Sequence, residues 1–111
     1  MEHWYDTHAH LDRYAPVELD SILARAAEAE VLVIGVGTDL ESSAALLAIK
    51  GLAGVTVGIH PARGETGSEP LLREIAGRRG VCAIGECGFD AEGPSWELQA
   101  AVFRAQVRVA R

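Results

Sequence analysis

Val31-Leu32-Val33-Ile34-Gly35-Val36-Gly37 is an unbroken apolar run. A strand with one wet face alternates apolar and polar residues. A strand covered on both faces does not, so this run reads as part of a parallel sheet. Working outward, comparable segments occur at Trp4–Ala9, Val55–Ile59 and Val81–Glu86. The four begin at residues 4, 31, 55 and 81, spacings of 27, 24 and 26. Three of them are continuous runs rather than alternations.

Helical patterns fill the intervals. Pro16 suits a first turn, and Leu19, Ile22, Leu23, Ala26 and Ala27 then follow at helical spacing. Asp39 is placed to cap a second helix carrying Leu40, Ala44 and Leu47, closed by Gly51. A third, with Leu71, Leu72, Ile75 and Ala76, stops at Gly77. The fourth takes Ser95 as N-cap and carries an apolar stripe of Trp96, Ala100, Phe103, Val107 and Ala110. The order βαβαβαβα with right-handed crossovers predicts an α/β fold, a parallel sheet with helices outside. Gly64–Pro70 is the one polar, glycine-containing loop of note, and no linker divides residues 1–111. Loops that follow strands are polar, whereas those that precede strands hold little beyond glycine. Parallel α/β folds bind ligands at the C-terminal strand ends, so that rim is the place to search.

Composition narrows the chemistry. Ten Lys+Arg against sixteen Asp+Glu give a net charge of −6, and nine of the ten basic residues are Arg. Such a chain has no broad basic groove for tracking a phosphate backbone by charge alone. No apolar run approaches the roughly 20 residues of a membrane span, and the start lacks a basic region followed by an apolar core, so neither a membrane nor a signal peptide is expected. Cys82 and Cys87 lie in one strand segment, roughly 16 Å apart at about 3.3 Å per residue, too far for a disulfide. A reducing cytoplasm is the expected location.

Four rim segments carry candidate chemistry. His8 and His10 lie two apart, so a strand presents both on one face and they can converge on one divalent cation. Two hydrogen-bonded surface histidines would look the same. Glu86, between Gly85 and Cys87-Gly88, follows an apolar strand, where a carboxylate needs a metal, an Arg or backbone N–H partners. His60 closes the third strand before Pro61, and Arg63 follows it, either solvated or facing an anion. Asp12 and Asp90 lie just past strands one and four, as orienters of a ligand histidine or as turn residues. Cys87 reads as a packed thiol rather than a nucleophile, because nothing nearby lowers its pKa. The phosphate-binding, dinucleotide, nucleophile-elbow and CxxC patterns are absent.

Asp6-Thr7-His8-Ala9-His10-Leu11-Asp12, Gly58-Ile59-His60-Pro61 and Ile84-Gly85-Glu86-Cys87-Gly88-Phe89-Asp90 together resemble the successive signatures of the TatD family of metal-dependent deoxyribonucleases. Gln99-x3-Phe103-x2-Gln106 resembles that family's next helix. The resemblance implies a TIM-barrel-type (β/α)8 fold of the amidohydrolase-like superfamily, of which this chain has four βα units, an N-terminal half barrel. It implies a two-metal site in which His8 and His10 ligate one ion and Glu86 bridges both. Zn, Mg, Mn or Ni would suit these donors. Glu86 and His60 are the catalytic candidates, with His60 near the scissile phosphate. Asp12, Arg63 and Asp90 are candidates for supporting or substrate-side roles.

The expected reaction is hydrolysis of a phosphodiester, DNA above all, by metal-activated water. Later histidines and an aspartate that complete the family's ligand set have no counterpart here. A TIM barrel needs about 250 residues and eight strands. A complementing C-terminal half or a second copy is therefore the expected partner. The alternatives are a truncated, non-catalytic half-barrel binding subunit, and a related amidohydrolase acting on C–N or C–O bonds.

Overall fold

The computed structural model describes residues 2–64 and 68–111. Four strands, β1 (Trp4–Ala9), β2 (Val31–Val36), β3 (Gly54–Val57) and β4 (Val81–Ile84), form one parallel sheet in the order β1-β2-β3-β4. Between and after them run α1 (Pro16–Glu28), α2 (Leu40–Leu46), α3 (Glu69–Ala76) and α4 (Trp96–Ala110), with a 3₁₀ turn at Leu11–Arg13. This is the expected α/β alternation, four βα units of a partial TIM barrel.

The strands that carry the longest apolar runs sit in the middle. Val33 of β2 and Val55 and Val57 of β3 bury one sheet face against Leu46, Leu72 and Ile75 of the helices. Parallel pairing sets Tyr5 beside Leu32 on the opposite face, which no helix among the described residues covers. On that face Tyr5 is 60% exposed, and Trp4, on the other face of the same edge strand, is 73% exposed. The Cα radius of gyration is 14.6 Å with extents of 45 × 27 × 24 Å, whereas a compact chain of this length has a radius of about 13 Å. The excess fits a slab with one open face.

Local sequence accounts for most element ends. Pro16 occupies the first turn of α1, and the Ala15 N–H donates back to Glu18 Oε2 at 3.1 Å. Asp39 caps α2 by accepting from the Ser42 N–H at 2.7 Å, and Ser95 caps α4 by accepting from Leu98 N–H at 3.2 Å. Helix α2 stops at Leu46, well before Gly51, and the chain unwinds through a turn to reach that glycine at φ 86°. Of the Gly64–Pro70 loop, Glu69 and Pro70 already belong to α3, and 65–67 lie outside the described residues.

Helix α4 departs most from expectation. Its buried residues are Gln99, Val102 and Gln106, whereas Trp96 is 60% and Val107 41% exposed. Phe89 from the β4–α4 loop packs on this apolar stripe, 5.3 Å from Trp96 and 5.5 Å from Phe103 between ring centroids. The polar face turns inward because loop backbone at the rim needs partners. Gln106 Oε1 accepts from Ile59 N–H at 2.8 Å and its Nε2 donates to Ile59 O at 3.1 Å. Gln99 does the same for Asp90, at 2.8 and 2.9 Å, and also donates to Pro94 O at 2.6 Å. A buried amide so paired replaces a strand-like hydrogen-bonding edge.

Candidate metal centre

Strands β3 and β4 end at Val57 and Ile84, so His60 and Glu86 lie beyond the sheet, in the rim. The rim is still laced by backbone bonds. Gly85 N–H donates to Val57 O at 3.0 Å, Glu86 N–H to Gly37 O at 3.3 Å and His60 N–H to Thr38 O at 2.7 Å. The second of these bonds joins the end of β4 to the end of β2, across β3. Gly58 makes that crossing feasible. A Cβ there would stand 2.5 Å from Gly85 C and 2.6 Å from Gly85 O, far inside van der Waals contact. The crossing carries Glu86 toward β1, two strands further than sheet order suggests.

There it meets both histidines. Glu86 Oε2 lies 3.3 Å from His8 Nε2 and 3.4 Å from His10 Nε2, and the two Nε2 atoms are 3.2 Å apart. His8 and His10 meet edge to face, their ring centroids 4.9 Å apart. The pairing register shifts between Asp6 and Ala9, where His8 N–H donates to Asp6 Oδ1 at 3.1 Å. His10 Nδ1 lies 3.0 Å from Val36 O. A carbonyl can only accept, so Nδ1 carries a proton, and in the neutral ring Nε2 presents a lone pair to the cluster, the usual arrangement of a metal-ligating histidine.

Glu86 Oε2 is buried and has no hydrogen-bond partner among the described residues. A lone pair and an unpartnered carboxylate oxygen pointing at one another are unfavourable without a cation between them. His8, His10 and Glu86 are thus a donor set that could hold a metal ion, with ligand atoms all within 4.8 Å of one another.

His60 faces the other carboxylate oxygen, its Nε2 3.6 Å from Glu86 Oε1. Its tautomer is the reverse of that in His10. Ala62 N–H donates to His60 Nδ1 at 3.1 Å, so a neutral His60 carries its proton on Nε2 and offers a donor there.

A family model described as TatD related DNase matches residues 5–111. The chain belongs to that family. It is also 35% identical, over 101 residues, to the 3'-5' ssDNA/RNA exonuclease TatD of Dickeya dadantii (strain 3937), an alignment covering 82% of this chain and 38% of that protein. The chain therefore spans well under half the length of the curated relative it matches.

The remaining sequence candidates of this TatD-family chain divide. Arg63 stands next to His60 on the rim, with Nη2 3.7 Å from Asp39 Oδ2. Asp90 organises the β4–α4 loop: its Oδ1 accepts from Glu92 N–H at 2.8 Å, and its backbone is clamped by Gln99. Asp12 is exposed in the 3₁₀ turn, and no hydrogen bond or ion pair of the cluster among the described residues involves it. Burial, then the Glu86 charge, pushes the Cys87 thiol up from its ordinary pKa. That direction disfavours the thiolate that a nucleophile needs. Both cysteines are free thiols. No helix of the described residues is long and apolar enough to cross a membrane.

Arg13 and Thr38, which sequence reading passed over, line a depression of about 350 Å³ with His60, Ala62 and Arg63. The available signal was positional, since each follows a strand on the side where all the candidates lie.

Proposed function

We propose that the chain contributes the first half of a metal-dependent phosphodiesterase site acting on nucleic acid. The observation that carries this reading is Glu86 Oε2, buried without a partner and within 3.4 Å of two histidine Nε2 atoms, in a chain of the TatD related DNase family. The relative's name supports single-stranded DNA or RNA as the substrate class. Residues 1–111 form one unit, the N-terminal half of a (β/α)8 barrel, completed by a C-terminal half or by a second copy that covers the open sheet face and supplies further ligands. The cytoplasm suits its free cysteines.

His8, His10 and Glu86 would hold one divalent ion, with Zn, Mn, Mg and Ni all compatible with imidazole and carboxylate donors. The two oxygens of Glu86 face different partners, so the carboxylate has an atom to offer a second ion. When bound, such ions supply acidification of water and neutralisation of charge on the phosphoryl oxygens. The chain's own groups set the rest. Val36 O fixes the His10 ring, and Ala62 N–H fixes the His60 ring with its Nε2 proton toward Glu86. That proton is placed to hydrogen-bond a phosphoryl oxygen beside Glu86.

The test is cleavage of a fluorescent single-stranded oligonucleotide by the purified chain, with and without each metal, alongside its mass in solution. The expected result is metal-dependent cleavage by an assembled species that vanishes in Glu86→Ala. Metal uptake without cleavage by any assembled form would instead support a non-catalytic binding subunit. Cleavage that survives Glu86→Ala would contradict the proposed site.

A further inference from the structure

The depression beside His60 is a second feature of the rim, distinct from the metal ligands. Its lining joins three βα loops: Arg13 after β1, Thr38 after β2, and His60, Ala62 and Arg63 after β3. In a chain of net charge −6, two arginines in one small depression run against the composition. Arg13 forms no ion pair among the described residues. Among the described residues Arg63 is paired only with Asp39, at 3.7 Å, and its side chain is 52% exposed. Asp39 has its Oδ1 engaged by Ser42 N–H, so it holds Arg63 in place from one side. Neither guanidinium supports the core.

The geometry points to this depression as a binding subsite for a non-scissile phosphate of a nucleic acid strand, with Arg13 and Arg63 as its phosphate-binding residues. The inference rests on the phosphodiesterase reading for the strand that occupies it. Guanidinium forks match phosphate oxygens in pairs. His60 lies at the boundary, lining the depression while its Nε2 is 3.6 Å from Glu86 Oε1, so the depression adjoins the metal cluster. Asp39 cancels one of the two positive charges, which keeps the site weak for a lone phosphate. A strand offers several phosphates to the two arginines and so binds more tightly than a lone phosphate.

The experiment titrates the metal-free 111-residue chain with inorganic phosphate and, separately, with the tetranucleotide d(TTTT). ¹H–¹⁵N shifts of the Thr38 and Ala62 amides and of the Arg13 and Arg63 Nε–Hε groups are followed. Saturable shifts confined to these groups are expected, weaker for phosphate than for the oligonucleotide. Arg13→Gln and Arg63→Gln should each weaken d(TTTT) binding about tenfold and lower the salt slope by about 0.7. Both side chains are exposed, so both variants should remain folded.

Absent shifts, or shifts and salt slopes unchanged in both variants, would overturn the assignment. Phosphate binding without oligonucleotide binding would overturn its assignment to a strand. Glu86→Gln separates the two readings: loss of metal uptake with retained d(TTTT) shifts is expected. Retained metal uptake would refute the metal reading and leave the phosphate subsite standing.

Discussion

Replacing Gln106 with leucine should damage the rim out of proportion to its size. Gln106 is 1% exposed, and its amide gives and takes a hydrogen bond at the backbone of Ile59, itself 2% exposed. Leucine has nearly the same volume and is more apolar, so burial alone predicts a neutral or stabilising change. The hydrogen-bond account predicts the opposite. The Ile59 N–H and C=O would both be left buried without partners, at about 1–3 kcal/mol each, or about 2–6 kcal/mol together. Against a total of about 5–15 kcal/mol for a domain this size, that is a large fraction. The melting temperature should fall by about 10–25 °C.

Urea unfolding followed by circular dichroism measures the stability directly, and Gln106→Glu sharpens it. An ionised glutamate can still accept from Ile59 N–H and cannot donate to Ile59 O. Its loss should exceed leucine's if charge burial dominates, and neither variant should approach wild type. A leucine variant within about 0.5 kcal/mol of wild type would refute the reasoning. Ile59 precedes His60, so the leucine variant should also broaden the His60 ring resonances in NMR spectra.

Two further perturbations follow from the same rim. Gly58→Ala should displace the Gly85–Glu86 peptide, because the added Cβ has backbone atoms 2.5 and 2.6 Å away. Loss of metal uptake with secondary structure retained by circular dichroism is expected, and unchanged uptake would contradict the crossing's role. Burial raises the pKa of Asp39, but hydrogen bonds from Ser42 and the Arg63 charge together outweigh it and hold the carboxyl below its ordinary value. A depressed folded pKa contributes stability above the unfolded value of about 3.9 that is lost as pH falls through the folded one. Wild type should therefore lose stability faster than Asp39→Asn below about pH 4, as read by thermal melts across that range; parallel profiles would exclude the cap as the source.

The strand order and the functional rim were legible because Val31–Val36 and two of its three companions are apolar on both faces, and because polar residues follow strands rather than precede them. His8, His10, Glu86 and His60 were legible as residue types at strand ends, and the structure brings all four together. What periodicity could not show is the route by which Glu86 reaches β1. That depends on a missing side chain at Gly58, and a glycine in a strand pattern does not reveal what lies against it. The face of α4 was misread for a related reason. Apolar spacing selected Trp96, Phe103 and Val107, whereas Gln99 and Gln106 face inward to satisfy loop backbone whose needs appear only once the chain is folded. Arg13 escaped notice because its importance comes from Arg63, fifty residues away in the sequence.

The central claim is that His8, His10 and Glu86 are ligands of a metal ion. Anomalous diffraction from crystals of the chain grown with Zn or Mn tests it most directly. The account predicts one strong peak about 2.0–2.2 Å from His8 Nε2, His10 Nε2 and Glu86 Oε2, with His10 Nδ1 still donating to Val36 O. A metal-saturated crystal with no peak at these three atoms, or with the ion bound elsewhere, would contradict it.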